Sequence, residues 1–290
     1  MFYIIHNVLL AIFFLDYSIA KDCIPKIEVE IWNECYSIQN TVKLNLSGSG
    51  LDGEIPLEIG DLVNLYSLDL SNNRLSGEIP IQIGKLKKLN FLYLQDNLLS
   101  GDIPKEIKYL INLDRLFLSS NHLSGEIPVE IGKLKKLKYL YLHKNNLSGE
   151  IPLDLFKLNS LFKLDLSSNK LSGVIPAEIG DLVNLNSLRL FNNQLKGVMP
   201  ARLVNIKNIQ FLFLHENQLS GKIPLEVGSL INLTHLYLNS NEFTGQIPLE
   251  IQNLVNLKEL RIENNKLCSP YPSYLNKWGV GYQNTVDCEK

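Results

Sequence analysis

The stretch LYSLDLSNNRLSGEIP, from Leu65 to Pro80, decides the fold, because its pattern L-x-x-L-x-L-x-x-N-x-L-x-G-x-I-P returns every 24 residues. Further copies run from Leu89 to Pro104, Leu113 to Pro128, Leu137 to Pro152, Leu161 to Pro176, Leu185 to Pro200, Ile209 to Pro224 and Leu233 to Pro248, with no residue inserted or deleted. Degenerate copies at the two ends bring the count to ten. Thr41 and Ser49 replace the first Leu and the Asn at one end, and Ser269 and Tyr271 replace the Gly and Ile at the other. A fixed period of this length marks a solenoid, in which each unit buries its apolar face only against its neighbours. Atypical end units shield the open ends of such a stack.

Within one unit, two-residue alternation makes a short strand: Leu68 and Leu70 point inward while Ser67, Asp69 and Ser71 point outward. Stacked copies form a parallel sheet along one face. Asn73 and its equivalents in later copies recur with the scaffold, so their amides are expected to bond backbone groups at the turn leaving the strand. Gly and Pro in L-x-G-x-I-P then bend the chain away. A segment such as Leu57-Glu58-Ile59-Gly60-Asp61-Leu62 fits a short helical turn, its carboxylate near the positive end of the peptide dipoles. Glu58, Glu106, Glu130, Asp154, Glu178, Glu226 and Glu250 share that column and read as structural.

These residues resemble the plant-type leucine-rich repeat family, known from receptor-kinase ectodomains and secreted polygalacturonase-inhibiting proteins. The resemblance spans Thr41 to Pro272. It implies an α/β solenoid: a right-handed coil with a concave parallel β-sheet, short helical or 3-10 turns on the convex side, and a partner bound on the concave face. The N-terminal segment keeps Trp32 and Cys35 but departs from the family's W-x-G-V-x-C form, and Ser269 stands where the family usually has Gly.

The chain opens with an apolar run, Ile4 to Leu15, followed by Ser18-Ile19-Ala20. This reads as a secretory signal over residues 1–20 with a small-residue cleavage site. A membrane anchor needs about 20 apolar residues, and Asp16 interrupts the run. Residues 21–40 and 273–290 are read as disulfide caps flanking ten repeats over 41–272. Cys23 and Cys35 precede the repeats and Cys268 and Cys288 follow them, so local pairs are expected in an oxidising compartment. The two ends stand roughly 40 Å or more apart at about 4.8 Å per strand, which excludes pairing between caps and a shared zinc. A formal charge of −2 offers no electrostatic case for nucleic acid. After signal removal no segment is expected to insert in a membrane, no cofactor is implied, and the oligomeric state is left open.

Function is expected on the outward strand positions, which the scaffold leaves free. Phe91 and Tyr93, then Arg115 and Phe117, then Tyr139, Tyr141 and His143 make a first aromatic patch. Lys163 and Asp165 form a polar waist. Arg189 and Phe191, then Phe211, Phe213 and His215, then His235 and Tyr237 make a second patch. Aromatics favour strands in any case, but nine outward rings on one face suggest a ligand surface. His143 and His215 are three strands, about 14 Å, apart, too far to share a metal.

Two flanks carry charge. Lys85, Lys87 and Lys88 recur as Lys133, Lys135 and Lys136, a trace of two-repeat duplication, and Glu54, Glu78, Asp102, Glu126 and Glu150 give way to Val174 and Val198. Sequons at Asn45, Asn146 and Asn232 are candidate glycosylation sites.

No nucleophile–base arrangement or phosphate loop is present, and Asp69 and Asp165 are about 19 Å apart, too far for a glycosidase pair. The expected function is recognition of an extracellular protein or peptide by the concave rings. Within it, a role as enzyme inhibitor or defence or adhesion factor comes from the resemblance. The alternatives are polysaccharide binding, by stacking sugars on Tyr93, Tyr141 and Tyr237, and binding of an ice surface, which calls for a flat, repetitive face of small residues.

Overall fold

A computed structural model describes residues 23–285 and 288 of the chain; the signal expected over residues 1–20 lies outside them. Ten parallel three-residue strands, one per repeat from Lys43–Asn45 to Glu259–Arg261, form a single sheet in repeat order. The register is locked at one period, so Leu92 lies opposite Leu116 and Tyr93 opposite Phe117. The inward leucines, such as Leu68, Leu70, Leu92 and Leu94, are fully buried and form one continuous core through the coil. At about 2 kcal/mol for each buried Leu or Ile, this core is the main stabilising term.

A five-residue 3-10 turn follows each repeat proline on the opposite side, from Leu57–Asp61 to Leu249–Asn253. The proline has no N–H and a fixed φ, and its carbonyl starts the turn: Ile59 N–H donates to Pro56 O at 3.1 Å. Neighbouring turns pack closely enough that a Cβ on Gly60 would lie 2.7 Å from the Gln82 carbonyl oxygen. The glycine of L-x-G-x-I-P has a different reason, since Gly77 sits at φ +72°.

The expected asparagine ladder is present and links consecutive coils. Asn97 accepts from Leu75 N–H at 3.0 Å and donates to Leu70 O at 2.9 Å and to Leu94 O at 3.1 Å. Each asparagine thus serves its own repeat and the one before it. Ser49 in the first repeat is the exception for a physical reason: no earlier repeat offers a backbone to serve. The residue before each ladder asparagine is left-handed throughout, from Asn72 at φ +57° to Asn264 at φ +56°.

Both caps carry the local disulfides expected. Cys23–Cys35 and Cys268–Cys288 are bonded with Cα atoms 5.4 and 5.5 Å apart. An antiparallel hairpin, Glu28–Ile31 with Glu34–Ser37, buries Val29 and Ile31 over the first coil. Among the described residues no helix is long and apolar enough to cross a membrane.

A concave aromatic face with a polar cavity at its centre

The in-register sheet brings the outward rings into contact along the coil axis. Tyr93 and Phe117 lie 5.1 Å apart edge to face, and Phe117 stacks on Tyr141 at 4.4 Å. In the second patch Phe213 stacks on Tyr237 at 4.4 Å, Phe191 on His215 at 4.5 Å and Phe211 on His235 at 5.2 Å. All of these rings are half-buried: each covers part of its neighbour and leaves the remainder to solvent. Arginines are set among them. The Arg115 guanidinium lies 5.2 Å from the ring centres of both Phe91 and Tyr139 and donates to the Tyr93 hydroxyl at 3.3 Å. Arg189 lies 5.3 Å from the Phe213 ring, and Arg261 lies 4.4 Å from that of Tyr237. Such cation–π contacts pre-order the face without filling it.

The waist at Lys163 and Asp165 differs from a simple polar strip. Asp165 occupies an outward position but is only 6% exposed. Its Oδ1 accepts from Ser167 N–H at 3.1 Å and from the Ser167 hydroxyl at 2.6 Å. Because Asp165, Ser167 and Ser187 are short, the surface drops between Tyr141 and Phe191 into a cavity of about 340 Å³. His143, Lys144, Lys163 and Arg189 complete its wall.

The three histidines stay separate, each within the ring ladder. Burial pushes the pKa of His143 and of His215 below the ordinary imidazole value, with Asp165 partly opposing the effect at His143. His235 Nδ1 pairs with the Thr234 hydroxyl at 2.9 Å. Among the described residues, no group of three or more His, Cys, Asp or Glu is placed to hold a metal ion.

The flanks show features that the repeat consensus does not announce. A second asparagine ladder runs along the edge beside the 3-10 turns: Asn112 donates to Lys87 O at 3.0 Å and Asn232 to Lys207 O at 2.8 Å. Lys88 and Lys136 stand in that same column and reach back to Asn64 and Asn112 at 2.6 and 2.7 Å. Lys85 pairs with Asp61 at 3.0 Å. The duplicated lysines are therefore tied into the coil in part. Of the sequon residues, Asn45 and Asn232 are exposed and Asn146 is half-buried. Tyr66 and Phe162, one position ahead of the strands, widen the first patch by edge contacts to Phe91 and Tyr139.

Comparison with known proteins agrees with this architecture. Family models described as leucine rich repeat match residues 135–195, and residues 64–86, 88–110, 112–134, 208–230 and 232–254. The chain belongs to the leucine-rich repeat family. Its coil is similar to the crystal structure of a TDR receptor (35% identity, TM-score 0.77, covering 78% of this chain and 39% of that one). It is similar also to the Arabidopsis receptor kinase HAESA in complex with the peptide hormone IDA and the co-receptor SERK1 (35% identity, TM-score 0.75, covering 81% and 39%). A third similar structure is a plant ice-binding protein (30% identity, TM-score 0.64, covering 81% and 73%). The chain spans about two fifths of the length of the two receptor chains. A search of curated proteins found no match.

Proposed function

We propose that this protein is an extracellular recognition module that binds an extended peptide or protein segment along its concave ring ladder. One observation carries the reading: nine half-buried outward rings, interleaved with Arg115 and Arg189, lie along the sheet in two contact series. Aromatic side chains and arginine dominate binding energy at interfaces, because each removes a large area from water at small entropic cost. Two further facts support it. A structurally similar receptor kinase is complexed with a peptide hormone, and the two cap disulfides suit an oxidising, extracellular setting. The stacked rings and guanidinium groups supply contact area and orientation, which is what recognition of a segment calls for. The test is capture of an extracellular protein or peptide on the immobilised protein, compared with a Tyr141→Ser/Phe213→Ser variant. Capture lost in the variant supports the reading; capture retained moves function off these rings. Capture of a glycan-degrading enzyme would pick out the inhibitor role, and capture of glycan alone the polysaccharide alternative.

The likeness to a plant ice-binding protein favours a second reading. The concave face is too varied for an ice lattice. A lateral column of hydroxyls is more regular: Ser76, Ser100, Ser124, Ser148, Ser172, Ser220 and Thr244, interrupted by Lys196. Ice-recrystallisation inhibition that disappears in Ser100→Tyr/Ser148→Tyr would establish that role; no inhibition by the unaltered protein ends it.

A further inference from the structure

We propose that the cavity between the two ring patches is a subsite for one acidic side chain of the bound segment, and that this contact sets the ligand's register on the ladder. The inference rests on the recognition reading above and adds the chemistry of its central contact.

The placement comes first. Ring patches lie on both sides of the cavity, through Phe117 and Tyr141 on one side and Phe213 and Tyr237 on the other. A segment covering both patches must cross the cavity in mid-chain, so a side chain, not a chain terminus, enters it. A volume of about 340 Å³ accommodates one such side chain.

Charge then selects among side chains. Lys144, Lys163 and Arg189 face one carboxylate, Asp165. Neither lysine has an ion-pair partner among the described residues. Asp165 is already engaged. Its Oδ1 is held by Ser167, and its Oδ2 lies 3.5 Å from His143 Nδ1 and 3.8 Å from an Arg189 terminal nitrogen. The carboxylate therefore orients Arg189, which the Phe213 ring supports from the other side. The local balance is two positive charges in excess, with the Ser168 and Ser187 hydroxyls nearby as donors. A planar guanidinium and ammonium groups in a half-enclosed site match a carboxylate. A cationic side chain would meet three like charges.

The probe is N-acetyl-aspartate amide, titrated into isotope-labelled protein and followed by amide chemical shifts, with N-acetyl-asparagine amide as its neutral isostere. The expected result is saturable shifts at Ser167, Ser168, Ser187 and Arg189 for the acid, with the isostere at least about tenfold weaker. Arg189→Gln and Lys163→Gln should each weaken the acid. Asp165→Asn, which removes the only negative group of the wall, should tighten it. Equal response to both probes, no shifts at the cavity, or unchanged affinity in Arg189→Gln would overturn the proposal, as would a weaker acid in Asp165→Asn. Partner capture by the ring variants is read separately. Ring-dependent capture without probe shifts removes only the subsite; ring-independent capture removes the recognition reading.

Discussion

Gln283 stands to Leu267 as Asn265 stands to Phe243. Asn265 accepts from Phe243 N–H at 3.0 Å and donates to Leu238 O and Ile262 O, each at 3.0 Å. Gln283 accepts from Leu267 N–H at 3.2 Å and donates to Ile262 O and Val280 O, each at 2.9 Å. The C-terminal cap thus supplies one more rung of the ladder from a residue outside the repeat register. A solenoid end needs this, because its last coil has no following repeat to satisfy its backbone. Gln283→Ala is expected to cost about 1–3 kcal/mol, the penalty of leaving buried groups unpaired. The urea midpoint measures it, together with faster hydrogen exchange at the Leu267 amide.

A ladder asparagine inside the array should cost more. Asn121 accepts from Leu99 N–H and donates to Leu94 O and Leu118 O, so Asn121→Leu strands three backbone groups. The expected loss is about 3 kcal/mol or more, summed from such groups. Ser49→Asn is the control: with no preceding coil to serve, it should stay within about 0.5 kcal/mol of the parent. Both are read from chemical denaturation.

The left-handed column predicts a gain. Glu216 sits at φ +53° with an exposed side chain. Asparagine tolerates that region better than glutamate. Glu216→Asn should therefore raise stability by roughly 0.5–1 kcal/mol, again seen as a shift of the urea midpoint.

Acidification should weaken the fold through two rings of the concave face. Burial depresses His143 and His215 below their ordinary value of 6.5. The unfolded chain then takes up more protons than the folded one as pH falls through 6.5. The stability from keeping these rings neutral is complete above that pH and is lost as pH falls through the folded pKa values. Denaturation between about pH 7.5 and 5.5, a window around the ordinary imidazole value, should show a decline. The decline should be shallower in His143→Gln/His215→Gln; an unchanged slope would place the proton uptake elsewhere.

Much of this fold was legible because the repeat writes each role in a fixed column. Leu68 and Leu70 mark the core side of every strand, and Asn73 marks the ladder. The local disulfides followed from where the cysteines sit. Gln283 was hidden because it lies outside the 24-residue register and is a different residue type. In the sequence Asp165 is only a polar interruption, since its burial depends on Ser167 holding one carboxylate oxygen and on His143 and Arg189 of the neighbouring repeats lying against the other. Of the duplicated lysines, Lys88 and Lys136 share a column with the second asparagine ladder, but that they reach back to Asn64 and Asn112 depends on side-chain conformations that the spacing does not specify. The ring patches were visible as residue types. The half-stacked geometry that orders them depends on sheet register, which only the structure supplies.

The concave face should behave as a set of binding anchors. The most direct measurement is the affinity of the captured partner for four proteins: the parent, Phe117→Ala, Tyr141→Ser/Phe213→Ser, and a convex control, Leu153→Ser/Leu249→Ser. The control removes two exposed side chains from the 3-10 turns and leaves the rings untouched. The expected result is a loss of about 2 kcal/mol, roughly thirtyfold, for Phe117→Ala, a larger loss for the double ring variant, and parental affinity for the control. Parental affinity in both ring variants, or a loss confined to the convex control, would contradict the account.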